Sequence, residues 1–152
     1  MPFVSVTRLR VRSWAYFPQF ALQSLKSARQ AQRSAGFLGG RLLRNPENSF
    51  WTMTAWKDET AMNSFRGAGA HGGVMRKLLD WCDEAAVVHW DQQTSEQPSW
   101  PEAHRRMVKE GRRSKVNHPS PAQTSNRYPT RWLMRSRRCN RSGSLRPCFD
   151  HL

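Results

Sequence analysis

The sequence predicts an α+β domain in which two strand–helix–strand halves share one antiparallel sheet. Two observations predict it. β-rich segments alternate with amphipathic helical segments in the order β-α-β-β-α-β between residues 3 and 90. The middle two strands are joined by Asn45-Pro46-Glu47-Asn48, a run with the chemistry of a turn.

Residues 3–11 are β-branched and roughly alternating, so they read as the first strand. Phe3, Ser5, Thr7, Leu9 and Val11 share one face; Val4, Val6, Arg8 and Arg10 share the other. A helix follows from about residue 17 to residue 33. Phe17, Phe20, Ala21, Ser24, Leu25, Ala28 and Ala31 recur at three- and four-residue spacing as its buried stripe, and Lys26, Arg29, Gln30 and Arg33 are expected in water. Pro18 is tolerated in the first turn, and Gly36 is a natural stop.

Residues 37–44 form the second strand, interrupted by Gly39-Gly40, and residues 49–56 the third, with Trp51 and Trp56 on opposite faces. Asp58 is placed to cap the next helix, whose apolar face is Ala61, Met62 and Phe65. Gly67 and Gly69 break it. Helix resumes near His71 with Val74, Met75, Leu78, Leu79 and Cys82, and residues 86–90 are a short fourth strand. This order is the ferredoxin-like arrangement, with helices on one face of the sheet. The other face is expected to be bare in one chain, and strands apolar on both sides predict that a second copy packs onto it, sheet to sheet.

The domain therefore spans residues 1–90. Residues 91–124 form an extension with a short helix starting at Trp100-Pro101-Glu102-Ala103, and Asn117-His118-Pro119-Ser120-Pro121 reads as extended or turn-like. Residues 125–152 form an irregular Arg-rich tail expected to be disordered, with the composition of a shifted reading frame or an unusual terminus.

At 152 residues the chain can bury a core without disulfides or metal. Its formal charge is +14, unevenly spread: residues 1–90 carry 12 Lys/Arg against 6 Asp/Glu, and residues 91–152 carry 13 against 5. A basic run without a recognition motif points only to non-specific nucleic-acid contact, so nucleic acid is not the expected partner. The three cysteines, Cys82, Cys139 and Cys148, lack metal-ligand spacing. No secretory leader and no apolar run of about 20 residues is present, so the expected location is the cytoplasm and no membrane is expected as a partner.

His71 is the best candidate for chemistry. An imidazole titrates near neutrality and serves as base or ligand; the plainer role is to hydrogen-bond the backbone of the Gly/Ala kink. Trp51 or Trp56 can stack on a planar substrate, the other filling core. Arg8 or Arg10 can enter a cleft to hold a carboxylate or phenolate, or lie at a solvated strand edge. No glycine-rich nucleotide loop and no nucleophile elbow is present.

The run from Trp56 through the helix ending in Phe65, then Ala70-His71, then Trp81-Cys82, resembles the dimeric α/β-barrel superfamily, which includes antibiotic-biosynthesis and haem-degrading monooxygenases. It is most similar to a bacterial family of unknown function numbered 3291, which also carries a Trp-x-Glu-Ala helix and a later Pro-Ser-Pro segment. The resemblance implies a homodimer and a monooxygenase-like protein that binds or oxidises a small hydrophobic or aromatic molecule. It implies a cleft between sheet and helices, walled by Trp51 or Trp56 with Phe65, Met75 and Thr7, and carrying His71 and Arg8 as polar groups. Haem-degrading relatives carry asparagine, tryptophan and histidine where Thr7, Phe65 and Met75 stand here. The expected chemistry is therefore oxygenation without a cofactor, with haem and flavin left open and no metal site. The alternatives are a non-catalytic dimer that binds a small ligand, or a non-specific nucleic-acid binder acting through the tail.

Overall fold

The computed structural model describes residues 1–125, so the tail, with Cys139 and Cys148, lies outside the described residues apart from Ser125. The predicted elements appear in the predicted order. They are β1 (Phe3–Val11), α1 (Phe17–Arg33), β2 (Phe37–Asn45), β3 (Ser49–Trp56), α2 (Glu59–Gly67), α3 (Gly69–Trp81) and β4 (Cys82–Asp91). α4 (Trp100–Glu110), β5 (Arg112–Arg113) and α5 (Pro121–Thr124) follow. The strands form one antiparallel sheet in the order β2-β3-β1-β4-β5. The α+β, ferredoxin-like expectation holds.

Local chemistry sets the boundaries that matter for the site. The Asp58 side chain accepts from the Ala61 N–H at 2.8 Å and starts α2. α2 and α3 meet at Ala68-Gly69. Gly69 has φ +56°, and a Cβ there would lie 2.8 Å from Gln30 Oε1, so both the backbone and the space require glycine. β4 starts four residues earlier than the sequence suggests. The helical pattern ends at Cys82, and Asp83 and Glu84 fall outside the expected strand because acids disfavour strands. In the fold these acids face the arginines of β1, with Glu84 directly opposite Arg10. Cys82 is fully buried, and burial, then the neighbouring Asp83 charge, push its thiol up to about 12.

The odd-numbered face of β1 packs under α1, α2 and α3 in two separate clusters. At one end Phe3 and Trp56 meet Ala31 of α1 and Met62 of α2. At the other Val11, Leu9 and Phe50 meet Phe20 of α1 and Val74 and Trp81 of α3. The even-numbered face is not bare. α4 lies across it, burying Ala103 and Met107 against Val4, Val6, Trp51, Met53, Ala86, Val88 and Trp90. Ser99 caps α4 by accepting from the Glu102 N–H, and the Arg106 guanidinium sits 4.7 Å over the Trp90 ring. The face expected to be bare, and so to receive a second copy, is thus covered by the chain's own extension. The extension is a third layer, and the sequence concealed this because the contact joins segments far apart in the chain.

Beside that layer, Arg8 and Glu84 are paired at 2.6 Å with both side chains nearly inaccessible. Arg10 approaches the other Glu84 oxygen at 2.8 Å, and the Ser120 hydroxyl at the start of α5 donates to the same oxygen at 2.7 Å. Burial pushes the Glu84 carboxyl up, but Ser120 and the Arg8 guanidinium outweigh it and hold it below the usual carboxylate range.

Candidate functional site

The sheet divides the predicted site residues. His71, Trp56, Phe65 and Thr7 belong to the helix-covered face. Arg8 and Trp51 are cross-strand partners on the opposite face, under α4. Arg8 is engaged by Glu84, and Trp51 lies 5.9 Å ring to ring from His104. Neither shares a cleft with His71, because period-two alternation sends adjacent strand residues to opposite sides. Met75 is also displaced from the wall. It is 42 % exposed, on the outer side of α3.

The residues that do assemble form a chain of rings. Phe37 meets Trp56 edge-on at 5.2 Å, Trp56 stacks on Phe65 at 5.0 Å, and Phe65 lies 4.6 Å from the His71 imidazole. Trp56 is fully buried, and its indole N–H donates to Thr54 Oγ1 at 2.9 Å. His71 is therefore the polar end of an aromatic stack that begins in the core.

His71 is positioned by α1. Gln30 Oε1 accepts from the His71 backbone N–H at 2.9 Å, while Gln30 Nε2 donates to the carbonyls of Ala68 and Phe65. One amide thus ties the end of α2, the kink and the start of α3 to the first helix. Gln30, expected in water, is half-buried because the kink reaches back to it. Burial, and secondarily the Arg66 charge, lower the His71 pKa, so the imidazole is neutral at pH 7 and able to accept a proton. In an NMR titration of the ring protons, the His71 midpoint is expected below the free-imidazole value of about 6.5 and to move upward in Arg66→Ala.

Between the two apolar clusters the sheet carries hydroxyls. Ser5 pairs with Thr54 and Thr7 with Thr52 across β1 and β3, and Ser5 and Thr7 pair with His89 and Val87 across β1 and β4. Above this band α1 presents Ser24, Ser27 and Ala28, small side chains set between Phe20 and Ala31. The Ser27 hydroxyl is buried without a hydrogen-bond partner among the described residues. Thr7 lies on the central strand, yet it and its neighbours Thr52 and Val87 are only half-buried. Among the described residues the helix-covered side of the sheet is thus least covered at its middle, an opening between the two apolar clusters.

His89 belongs to β4 and pairs with Ser5. It stands on the floor of this opening, 5.6 Å ring to ring from Phe3, and burial, then the charges of Arg112 and Arg66, lower its pKa. A signal for the hydroxyl band existed in the sequence. The face Phe3-Ser5-Thr7-Leu9 and the face Phe50-Thr52-Thr54-Trp56 each run apolar, polar, polar, apolar. Among the described residues no group of three His, Cys, Asp or Glu side chains gathers as a metal site would require.

No family model matches the sequence, and no curated protein matches it. Solved structures share its fold, which is that of the antibiotic biosynthesis monooxygenases. Rv0793 from Mycobacterium tuberculosis aligns with TM-score 0.55 and 14 % identity over 62 % of this chain and 97 % of its own. A protein described as an antibiotic biosynthesis monooxygenase aligns with TM-score 0.54 and 9 % identity over 60 % and 99 %. SnoaB from Streptomyces nogalater, described as a cofactor-independent oxygenase, aligns with TM-score 0.50 and 18 % identity over 61 % and 94 %. At such identities the likeness is one of fold. No described helix is long and apolar enough to cross a membrane.

Proposed function

We propose that this chain is a monooxygenase-like protein that binds and oxidises a small aromatic molecule in the opening between the sheet and α1–α3. The observation that carries the reading is the half-exposure of Thr7 and Val87 at the centre of the sheet, flanked by apolar clusters. An apolar cleft with few polar groups suits a planar, poorly soluble substrate. Phe65 and Trp56, stacked on one another, give it an aromatic wall.

In this reading His71 acts as general base. A neutral imidazole removes the proton of an electron-rich phenol, and the resulting anion is the species that dioxygen can oxidise. The protein's share is to orient the ring, exclude water and hold that proton at the imidazole. No resident cofactor is part of the proposal. Every residue named comes from one chain, so the cleft does not need a second copy. A cytoplasmic setting belongs to the same reading, and the buried free thiol of Cys82 suits it.

We further assign the chain to the bacterial family of unknown function numbered 3291. Support comes from the work done by the segments that carry the likeness. Trp100-Pro101-Glu102-Ala103 begins the helix that covers the second face, and Ser120 within Pro119-Ser120-Pro121 both caps α5 and binds Glu84.

The test is turnover of candidate quinols and polyketide-like phenols under air. His71→Ala is expected to lose about 10²- to 10⁴-fold in rate, the range of one general base, with its circular dichroism unchanged. Undiminished turnover in a folded His71→Ala protein would remove the imidazole from the mechanism.

A further inference from the structure

Four glycines fall within seven residues at the corner where α2 meets α3: Gly67, Gly69, Gly72 and Gly73. The observed conformation requires two of them. Gly69 has φ +56°, and a Cβ at Gly72 would lie 2.9 Å from the Gly67 carbonyl oxygen, where the start of α3 meets the end of α2. It does not require the other two. Gly67 ends α2 and Gly73 lies inside α3, both outside the left-handed region, and a Cβ added at either meets nothing within 4 Å. Alanine would fit at both and would favour the helix about fivefold at each. Two helix-weakening residues thus stand without a packing reason, one on each side of the corner. The corner between them is lightly held. Met62 and Val74 are buried and anchor the flanking helices, but no residue from 63 to 73 is buried. Among the described residues, the hydrogen bonds that tie the corner to another element all run to Gln30 of α1. Gln30 accepts from the His71 N–H at 2.9 Å and donates to the carbonyls of Ala68 at 2.8 Å and Phe65 at 3.3 Å.

We propose that residues 67–73 form a hinged segment that carries His71 and is latched by Gln30. The segment swings on Gly67 and Gly73 between two states. In the latched state the His71 imidazole lies 4.6 Å from the Phe65 ring. In the released state the three Gln30 bonds are broken and the imidazole has left that ring. Residues at the ends of elements that can change φ and ψ without steric cost are what a hinge needs, and glycine supplies them. Met62 and Val74 stay packed in both states, so release does not open the core on either side. The consequence for chemistry rests on the role proposed above for His71: the base is in place only while the latch is closed, and latching completes the site.

The test is amide hydrogen exchange of the full chain, followed residue by residue by NMR without any ligand. Three amides report the latched state: Ala68, bonded to the Phe65 carbonyl, His71, bonded to Gln30, and Gly72, bonded to the Ala68 carbonyl. After correction for intrinsic rates they are expected to exchange as one unit, at least a hundredfold faster than the amides of the central strand β1. In Gly67→Ala/Gly73→Ala all three should slow at least tenfold, because each added methyl group enters open space and favours the helix. Gln30→Met keeps the length of the side chain without its polar atoms, and Ala68 and Gly72 should then exchange at least tenfold faster. Exchange of the three only at the rate of β1 overturns the inference, since the corner then opens only with the whole fold. Three unrelated rates, or rates unmoved by the paired alanines, also overturn it. Should Gln30→Met fail to fold, the alanine pair still decides. None of these outcomes bears on His71 as a base, which turnover in His71→Ala decides separately.

Discussion

Glu84→Gln is expected to lower the unfolding free energy by about 3–5 kcal/mol, read from urea or guanidinium unfolding. The substitution keeps the shape of the side chain and removes its charge. The Arg8 guanidinium then stays in the interior without its carboxylate, and Arg10 and Ser120 lose the anion they converge on. Replacing both partners, as in Arg8→Met/Glu84→Leu, should restore most of the loss, because two matched apolar side chains carry no desolvation cost. The effect depends on pH in a defined direction. The folded carboxyl titrates below its unfolded counterpart, so its contribution is complete at neutral pH. It disappears as pH falls from the ordinary glutamate value of about 4.3 through the lower folded one. The gap between wild type and Glu84→Gln should therefore narrow in acid; a gap that held constant would show that the carboxylate charge is not what stabilises the cluster.

Trp56→Ala is expected to cost a similar amount, about 3–5 kcal/mol, the usual range for removing a buried aromatic. Trp56 is fully inaccessible and supports rings on two sides, Phe37 and Phe65. The loss should extend beyond stability. Without the indole, Phe65 lacks its stacking partner, and the His71 imidazole, 4.6 Å further along, loses a fixed neighbour. The ring-proton resonances of His71 should shift and broaden in the folded variant, and ligand binding should weaken. Trp56→Phe, which keeps an aromatic face, should recover part of both. An unchanged His71 spectrum in Trp56→Ala would show that the imidazole is held by Gln30 alone.

Much of this architecture could be read in the chain itself. The alternation of residues 3–11 and 49–56 and the helical spacing from Phe17 to Arg33 gave those elements the boundaries they have in the fold. Asp58 announced α2, and the glycines marked the break before His71. Failures came where a residue's role depends on partners distant in sequence. Asp83 and Glu84 are poor strand formers until two arginines stand opposite them. Gln30 reads as solvated until the kink between α2 and α3 folds onto it. Arg8 and Trp51 belong to the right strands, but periodicity assigns them to a face without saying which face will be open. α4 could be recognised as a helix from its Trp-Pro-Glu-Ala start, and its role as cover could not, since the acceptor surface is spread over β1, β3 and β4.

The two sides of β1 carry incompatible contents. One holds hydroxyls and a gap; the other holds a sealed apolar layer and an ion pair. Sliding this strand by a single residue would drive the Arg8 charge into the gap and thrust Thr7 beneath α4. Glu84 accepts only the correct alignment, since only there does it meet Arg8, Arg10 and Ser120 together. The salt bridge on the closed side thus serves as an alignment pin for the open side, and the shape of a cleft it never touches is inherited from it.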